Sequence, residues 1–364
     1  MRATKIMNLD GIIREWYKKN KRDLPMRHTF DPYRIWIAEV IMQQTRLNQG
    51  LPYYHKFIET FPNVHSLATA SEMEVLNLWQ GLGYYSRARN LQAAAQHIVE
   101  QLGGQMPGDY KGLLGLKGVG KYTAAAIASF CYGEPVAAVD GNVSRVIARL
   151  FGVEEPINSS AGARQIDTLA GELLDRKDPG THNQAMIDFG AMICVPVSPR
   201  CGECPLSEFC EAYGSNRVDQ LPVKIPKKKP VDRWIWFYII RCKGEIALMQ
   251  RGSKEIWKSL YQFPAEESDT PLSETGMMDR AASLFAPASP TEIPASPPAF
   301  SLKKISPEIK HLLTHLTLHA RFIHLELERW PDTLPEAWIK IFPTQMGDFP
   351  VPRLINRYME SFNF

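Results

Sequence analysis

Apolar residues recur at helical spacing through most of residues 1–216. In the opening segment, Leu9 to Tyr17, they fall on one side of a predicted helix. A second predicted helix begins with Asp31 as its N-cap and Pro32 in its first turn. This helix is apolar nearly all round, which is typical of a buried helix, yet it contains Glu39. The pattern therefore predicts a helical domain with a carboxyl group inside it.

A glycine-containing turn lies at the centre of this helical region. The string Leu116-Lys117-Gly118-Val119-Gly120-Lys121 precedes an Ala-rich helix predicted over Lys121 to Phe130. Glycine lets backbone N–H groups approach an anion, and the N-terminus of the following helix favours a phosphate. The alternative is an ordinary turn between two helices with glycine caps.

A second carboxylate follows in Val139-Asp140-Gly141-Asn142. Apolar residues resume at helical spacing directly after it, so Asp140 is predicted to stand just before a helix. Further helices are predicted over Arg164 to Leu174 and Asn183 to Ile193.

The pattern changes after residues 217–230, a Pro- and Lys-rich linker. Trp234 to Arg241 and Glu245 to Arg251 are predicted strands joined by a turn at Lys243-Gly244, and Phe322 to Trp330 alternates as a strand does. The Pro-, Ala- and Ser-rich stretch Ala286 to Ser301 is predicted to be a flexible loop. Residues 231–364 are therefore predicted to form a smaller α+β domain.

Composition narrows the class of protein without identifying it. A chain of 364 residues can form two or three domains. Neither an apolar run long enough to span a membrane nor a secretory signal is visible, so we expect a cytoplasmic protein. The formal net charge of +3 permits a polyanionic partner without requiring one.

Four of the six cysteines fall in one short loop with the spacing C-x6-C-x2-C-x5-C. They are Cys194, Cys201, Cys204 and Cys210. Four thiolates in one loop fit a [4Fe–4S] cluster, in which each iron takes one of them. Zinc is the alternative, although structural zinc sites more often use two C-x2-C pairs on separate turns.

Several motifs together resemble the helix-hairpin-helix DNA glycosylases that carry an iron–sulfur cluster. They are L-K-G-V-G-K-Y-T-A, V-D-G-N and the four-cysteine loop. Three further strings resemble the adenine DNA glycosylases of the MutY type: W-I-A-E-V-I-M-Q-Q-T-R from Trp36, G-L-G-Y-Y-S-R-A-R-N from Gly81, and N-Q-A-M-I-D-F-G-A-M-I-C from Asn183. The resemblance covers the helical region and is weaker in the second domain.

The resemblance implies a fold and a function. The fold is a mostly α N-terminal helix-hairpin-helix glycosylase domain, residues 1–216 with the cluster loop at 194–210, and a smaller Nudix-like α+β domain, residues 231–364. The implied protein is a monomeric, monofunctional glycosylase of base excision repair. It binds double-stranded DNA, flips out adenine mispaired with 8-oxoguanine or guanine, and hydrolyses the N-glycosidic bond.

One position separates this reaction from that of bifunctional relatives of the endonuclease III type. In those relatives the residue after the hairpin's G-x-G-basic string is a lysine that forms a Schiff base with the sugar. Here that residue is Tyr122, and Lys121 occupies the preceding basic position. The sequence therefore predicts hydrolysis by water without strand cleavage. An endonuclease III-like glycosylase and lyase acting on oxidised pyrimidines is the alternative.

Breaking the bond requires a proton for the leaving base and a negative charge beside the sugar cation. Among apolar neighbours, Glu39 is expected to resist ionisation and to deliver a proton to adenine N7. The ionised Asp140 is expected to stabilise the sugar cation. The alternatives are a buried Glu39 paired with an arginine, and an Asp140 that only caps a helix.

The remaining site residues are implied by the resemblance alone. Asn142 would position Asp140 and water beside Tyr122, and Arg22, Leu24 and Arg27 would hold the flipped adenine, although Met26 stands where the family commonly has Trp. Gln44 and Tyr84 would fill the gap in the base stack, for which core packing is the alternative at Tyr84. The hairpin residues Lys117, Gly118 and Gly120 would contact the DNA backbone.

In the second domain, Leu313-Thr314-His315 stands where the family reads 8-oxoguanine with an F-S-H-like loop. Thr314 keeps the hydroxyl and His315 the ring, but Leu313 replaces the aromatic residue. The other histidines of this region, His311, His319 and His324, are expected to be ordinary strand or surface residues.

The sequence disfavours two other classes of protein. The segment Gly244 to Pro264 resembles a Nudix pyrophosphohydrolase, but the acids that follow it lack the clustered arrangement needed for Mg²⁺. A DNA-binding protein with an inert catalytic centre is disfavoured because Glu39 and Asp140 are both retained.

Overall fold

The computed structural model describes residues 2–226, 228–252, 255–285 and 298–361, with side chains from residue 9 onward. Most of the predicted flexible loop from Ala286 to Ser301 lies outside the described residues. Its last two residues, Phe300 and Ser301, belong to a strand, which corrects the prediction there.

Two compact units divide the chain. The first comprises Met1–Ala70 and Ser86–Pro226, and the second comprises Ser71–Tyr85 and Lys227–Phe364. The segment Ser71–Tyr85 was predicted within the helical domain, so its place with the C-terminal residues differs from the predicted boundary.

Helices build the first unit, as the sequence predicts. They are α1 (Arg2–Asn20), α2 (Pro32–Met42), α3 (Leu47–Thr60), α4 (Val64–Thr69), α6 (Ser86–Gln101), α7 (Tyr110–Leu114), α8 (Lys121–Tyr132), α9 (Gly141–Phe151), α10 (Ser160–Leu173), α11 (Pro179–Met192) and α12 (Glu211–Gly214), whereas α5 (Glu72–Trp79) belongs to the second unit. Short 3-10 turns lie at Pro25–Arg27, Cys201–Glu203 and Ser207–Phe209. Within the described residues, none of these helices has the length and apolar content needed to cross a membrane.

Helix starts follow the predicted caps. The Asp31 carboxylate accepts a hydrogen bond from the backbone N–H of Tyr33 at 2.9 Å, and Pro32 occupies the first turn of α2. The Asp140 carboxylate caps α9 by accepting from Val143 N at 2.7 Å. Each cap satisfies one N–H that has no partner within its helix, which fixes where the helix begins.

The core around α9 is assembled from helices far apart in sequence. The apolar side of α1, with Ile13 and Tyr17 buried, packs in one cluster with residues of α9, α10 and α11. Phe189 of α11 is buried there beside Trp16, with ring centroids 5.1 Å apart. This core supports the helix whose first turn carries Asp140.

A mixed sheet forms the second unit. Its strands are β1 (Val231–Cys242), β2 (Glu245–Gln250), β3 (Tyr261–Gln262), β4 (Ala265–Ser268), β5 (Phe300–Ile305), β6 (Ile309–Leu312), β7 (Leu316–Leu327) and β8 (Trp338–Ile341). The main order is β3-β2-β1-β7-β5, with β4 on β1, β6 on β7 and β8 on β2. Strands β1 and β7 pair in parallel, from Val231 opposite Leu316 to Arg241 opposite Glu326. The predicted hairpin between β1 and β2 is confirmed.

Successive side chains of a strand point to opposite sides, and both faces of β1 are buried. Ile235, Phe237 and Ile239 belong to the cluster that includes α14 (Arg353–Ser361). Trp236 and Tyr238 belong to the opposite cluster, which includes α13 (Glu274–Ser283). The sheet thus lies between two helices, in agreement with the predicted α+β domain.

The turn after β2 contains non-glycine residues with left-handed backbone angles. Trp257 has φ 60° and Ser259 has φ 64°. A residue other than glycine is destabilised by about 1–2 kcal/mol in that region. Glycine avoids this cost, but its greater freedom in the unfolded chain cancels about 0.5–1 kcal/mol of the gain.

Ser259→Gly is therefore expected to raise the free energy of unfolding by about 0.5–1 kcal/mol. Urea unfolding of the full chain measures the change. The control Ser259→Ala keeps the unfavourable φ, so it is expected to stay close to wild type. A glycine variant no more stable than the alanine variant would contradict the presence of strain at this position.

Candidate active site

One cavity of about 890 Å³ in the first unit brings together most of the predicted site residues. Helices α2, α8 and α9, the hairpin turn and the segment before α2 all contribute to its lining. The predicted residues among them are Arg22, Leu24, Arg27, Glu39, Gln44, Gly118, Gly120, Tyr122, Asp140 and Asn142. Met26 lines the same cavity, which places the departure from the family pattern at its wall.

Glu39 lies half-buried on α2 and is held by Tyr122. Burial raises the pKa of Glu39 to about 7, and the negative charge of Asp140 adds to this effect, while the hydrogen bond from Tyr122 and the charge of Arg27 oppose it. Burial also raises the pKa of Tyr122 well above its ordinary value, so its hydroxyl keeps the proton that it donates to Glu39. A carboxyl group with a pKa near neutrality can hold a proton and release it.

Asp140 is held by hydrogen bonds on both carboxylate oxygens. Its Oδ1 accepts from Val143 N at 2.7 Å, and its Oδ2 accepts from Asn142 Nδ2 at 2.8 Å. Burial raises the pKa of Asp140, whereas these hydrogen bonds and the charge of Arg145 lower it. The same carboxylate therefore caps α9 and lines the cavity, and the start of α9 fixes its position there.

Asn142 is fixed in turn by a buried arginine of α9. Arg145 Nη2 donates to Asn142 Oδ1 at 2.9 Å and to Gly190 O at 2.8 Å. Its Nε donates to the carbonyl of Cys194 at 2.6 Å. A single guanidinium thus joins the Asn142 amide to the first residue of the cysteine loop.

Two predicted adenine contacts, Arg22 and Arg27, converge on a residue that the sequence reasoning missed. Asp188 on α11 is fully buried and accepts from Arg22 Nε and from Arg27 Nη2, each at 2.7 Å. Burial alone would raise the pKa of Asp188, but the hydrogen bonds and charges of Arg27 and Arg22 outweigh it and hold the pKa below its usual value. Asp188 therefore fixes both guanidinium groups at the cavity wall, and their contact with a base remains a prediction.

Gln184 is a second lining residue that the sequence reasoning did not single out. It lies one turn before Asp188 on α11, and its Oε1 accepts from the Tyr17 hydroxyl at 2.8 Å. Both residues lie in the string from Asn183 to Cys194, where a polar side chain within an apolar helix was the available signal.

Gln44 follows the end of α2 with a left-handed φ of 56°. Arg87 Nη1 donates to the carbonyls of Val40 at 2.8 Å, Ile41 at 3.1 Å and Gln43. These are the last carbonyls of α2 and its cap, which lack partners within the helix. Arg87 therefore holds the helix end from which Gln44 projects.

The hairpin turn between α7 and α8 contains two glycines, and each has a structural role there. Gly118 has φ +79°, and a Cβ added there would lie 2.6 Å from Asn90 Cβ. Gly120 caps α8 without a side-chain hydrogen bond, which leaves the first N–H groups of that helix available to an anion. Lys117 is exposed beside them. The turn thus has the features of a phosphate site as well as those of a helix cap.

Tyr84, Thr314 and His315 belong to the second unit, whereas the cavity residues belong to the first. Tyr84 is 54% exposed, which excludes core packing as its role. Its hydroxyl lies 3.3 Å from Thr314 Oγ1. Thr314 and His315 are exposed in the turn between β6 and β7. Tyr84, predicted to fill the gap in the base stack, thus lies beside Thr314, predicted to read the opposite base.

The four cysteines of the loop are not disulfide-bonded and lie half-buried. Arg149, itself buried, donates to Cys194 Sγ at 3.5 Å and to the carbonyl of Val195 at 2.8 Å. Among the described residues, no three Cys, His, Asp or Glu side chains converge on a site for one metal ion. Four cysteines in one loop can supply one thiolate to each of the four irons of a [4Fe–4S] cluster.

Cys204→Ala is expected to remove the visible absorption of the purified protein and lower its iron content, because it deletes one of four ligands. The matched control is Cys131→Ala, which alters a half-buried cysteine outside the loop. Absorption spectra and metal analysis of both variants test this. A colourless wild type carrying one zinc ion would contradict the cluster.

Two of the acids that follow Pro264 form ion pairs. Glu267 lies 2.7 Å from Arg251 and Glu266 lies 3.5 Å from Arg280. An acid neutralised in this way is a poor ligand for Mg²⁺, which needs carboxylates free to bind it. The arrangement agrees with the sequence in disfavouring phosphate hydrolysis there.

Family models match three parts of the chain. Residues 37–170 match the HhH-GPD superfamily of base excision DNA repair proteins, and residues 235–361 match the NUDIX domain. Residues 194–210 match the iron-sulfur binding domain of endonuclease III. The last match covers the predicted cysteine loop, and the [4Fe–4S] prediction is confirmed at the level of the family.

Two named relatives and one solved structure are also similar to this chain. A protein of Buchnera aphidicola subsp. Baizongia pistaciae named adenine DNA glycosylase is 35% identical over 351 residues, which cover 93% of this chain and 93% of the relative. The human protein of that name is 41% identical over 219 residues, covering 58% of this chain and 40% of the human one. A solved thermostable thymine-DNA glycosylase aligns with a TM-score of 0.55 and 31% identity, covering 58% of this chain and 98% of its own.

Proposed function

The chain belongs to the adenine DNA glycosylases, enzymes of base excision repair, and from that premise we propose that its substrate is adenine mispaired with 8-oxoguanine or guanine in double-stranded DNA. That the excised base is adenine follows from the family, whereas the identity of the base opposite it is what we propose. The observation that carries it is the Thr314 hydroxyl, exposed 3.3 Å from the Tyr84 hydroxyl in the second unit.

Glu39 supplies the proton that the leaving adenine needs. A purine departs poorly as an anion, and protonation at N7 lets it leave as a neutral base. The pKa of about 7 at Glu39 leaves a substantial protonated fraction near neutral pH. The Tyr122 hydroxyl orients this carboxyl group toward the cavity that both residues line.

Asp140 supplies the negative charge for the sugar. As the bond breaks, positive charge develops on the sugar as in glycoside hydrolysis, and a carboxylate held beside it stabilises that charge. Asn142 and the start of α9 hold Asp140 before the reaction begins. The base leaves with the Glu39 proton, water then attacks the sugar carbon, and the proton that the water loses passes to the Glu39 carboxylate, which restores the starting state.

Hydrolysis rather than Schiff-base chemistry follows from the residues at the start of α8. Tyr122 occupies the lyase-lysine position and cannot form an imine. The ammonium of the neighbouring Lys121 lies 3.5 Å from Asp167 on an exposed surface. Cys194, Cys201, Cys204 and Cys210 would hold the iron–sulfur cluster, which would cross-link their loop.

Recognition of the opposite base is assigned to the β6–β7 turn. The oxidised guanine differs from guanine by an N–H at N7 and an oxygen at C8, and a hydroxyl can both donate and accept. Thr314 therefore has the chemistry to distinguish the two bases. Leu313 offers no ring, so stacking is assigned to Tyr84 alone.

Single-turnover rates on duplexes with adenine opposite 8-oxoguanine, guanine, thymine or cytosine test the proposal. We expect the highest rate opposite 8-oxoguanine, a lower one opposite guanine, and very low rates for the rest. Thr314→Val, which removes only the hydroxyl, should lower the preference for 8-oxoguanine over guanine about tenfold, the effect of about 1.4 kcal/mol. The control Thr333→Val alters an exposed threonine elsewhere in this unit. Equal rates opposite thymine and 8-oxoguanine would refute the proposal.

A further inference from the structure

The turn Gly81–Tyr85, called here the wedge turn, holds Tyr84 in an unfavourable backbone conformation that requires stabilising contacts from other residues. Tyr84 has φ +48°, a region that costs an L-residue free energy. Gly81 has φ +95° and Gly83 has φ +74°, so the two glycines that precede Tyr84 in the turn allow its backbone wide conformational freedom. A residue in an unfavourable backbone conformation persists only when the surrounding structure determines it.

That surrounding structure comes from the C-terminal part of the same compact unit. Asn77 Nδ2 donates to Asp348 O at 2.8 Å, and Gln80 Nε2 donates to Asn356 Oδ1 at 3.3 Å. The Tyr85 hydroxyl donates to Val351 O at 3.1 Å. These contacts explain why Ser71–Tyr85 belongs with Lys227–Phe364 rather than with its neighbours in sequence.

Tyr85 has a double role among these contacts. Besides donating to Val351 O, its hydroxyl accepts from Gly81 N at 3.4 Å. It therefore ties the two ends of the wedge turn together and ties both to the C-terminal segment. Tyr85 is buried, with 4% of the residue exposed, whereas Tyr84 beside it is exposed.

We infer that Tyr85 is a positioning residue for recognition of the opposite base: its hydroxyl fixes the wedge turn so that the Tyr84 ring and the Thr314 hydroxyl keep a set spacing. The two side chains already lie together, with 3.3 Å between their hydroxyl oxygens. Both then meet one base as a preformed pair, which avoids the cost of ordering them on binding. This inference rests on the proposed function, because it concerns the choice of opposite base.

The catalytic cavity belongs to the other compact unit. Glu39, Tyr122 and Asp140 belong to the first unit, and their hydrogen bonds do not involve Tyr85. Loss of the Tyr85 hydroxyl is therefore expected to change selectivity for the opposite base more than the rate of bond cleavage at saturating enzyme.

The test compares Tyr85→Phe with the wild-type full-length protein carrying its cluster. Dissociation constants and single-turnover rates are measured on duplexes with adenine opposite 8-oxoguanine and opposite guanine. We expect the preference for 8-oxoguanine to fall about tenfold, mostly through weaker binding. The matched control Tyr33→Phe removes another buried tyrosine hydrogen bond, from its hydroxyl to Phe61 O at 2.8 Å in the first unit, and should keep the preference.

A double variant separates positioning from a general loss of structure. If Tyr85 acts through the spacing of Tyr84 and Thr314, adding Tyr85→Phe to Thr314→Val should lower the preference by less than the product of the two single effects. Asn77→Ala removes a different anchor and should shift the preference in the same direction, which keeps the test decisive if Tyr85→Phe fails to fold.

The possible outcomes are distinct. A wild type that acts equally opposite thymine and 8-oxoguanine removes the proposed function and this inference together, whereas one that discriminates against thymine but not between 8-oxoguanine and guanine removes this inference alone. A discriminating wild type whose preference survives in folded Tyr85→Phe, or in Asn77→Ala if Tyr85→Phe does not fold, overturns this inference and leaves the proposed function standing.

Discussion

Replacing Glu39 with glutamine is expected to lower the single-turnover rate of adenine release by about 10²–10⁴-fold, the usual contribution of a general acid. Glutamine keeps the size of the side chain and can still accept a hydrogen bond from Tyr122, but it has no acidic proton to give to the base. DNA binding is expected to remain, since the cavity keeps its shape. The control Glu59→Gln alters an exposed carboxylate on α3 and should retain full activity.

The dependence of this rate on pH gives a second signature of the same residue. Because Glu39 must be protonated and burial raises its pKa to about 7, the rate should fall as the pH rises above that value. At the acidic end the rate should fall as Asp140, whose pKa burial also raises, becomes protonated and loses its negative charge. The expected profile is therefore bell-shaped.

The glutamine variant should lose the alkaline fall while it keeps the acidic one. Rates on adenine opposite 8-oxoguanine, measured from about pH 5 to about pH 9, decide this. If the residual activity of Glu39→Gln still falls above neutral pH as wild type does, another group supplies the proton.

Replacing Asp140 with asparagine is expected to lower the rate by at least about 10²–10³-fold, the usual loss when one electrostatic stabiliser of a transition state is removed. Asparagine is as good an N-cap as aspartate, so α9 should form and the protein should fold. The variant therefore separates the charge of Asp140 from its capping role, and duplex binding should persist.

The matched control for this variant is Asp178→Asn. Asp178 caps α11 by accepting from Thr181 N at 3.2 Å, but it does not line the cavity. Thermal unfolding of both variants should resemble wild type, and only Asp140→Asn should lose turnover. Normal turnover in Asp140→Asn would remove its charge from the mechanism.

Features encoded by neighbouring residues could be predicted from the sequence. The caps at Asp31 and Asp140 and the hairpin at Lys243-Gly244 follow from local hydrogen bonding and turn chemistry, and the structure confirms them. Burial of Glu39 also follows locally, because the helix around it is apolar on nearly every side.

Features that depend on distant pairing could not be predicted in the same way. Asp188 holds Arg22 and Arg27 across more than 160 positions of sequence, and nothing in its own neighbourhood indicates those partners. The parallel pairing of β1 with β7 and the association of Ser71–Tyr85 with the C-terminal residues arise likewise from contacts that only the folded chain reveals.

The central claim is that this chain removes adenine by hydrolysis and leaves the DNA strand intact. The direct measurement incubates the protein with an end-labelled duplex containing adenine opposite 8-oxoguanine, and quantifies free adenine and strand breaks with and without alkali. With Tyr122 in place of a lyase lysine, we predict adenine release and strand breaks only after alkali. Breaks without alkali, together with a covalent adduct trapped by borohydride, would contradict the claim.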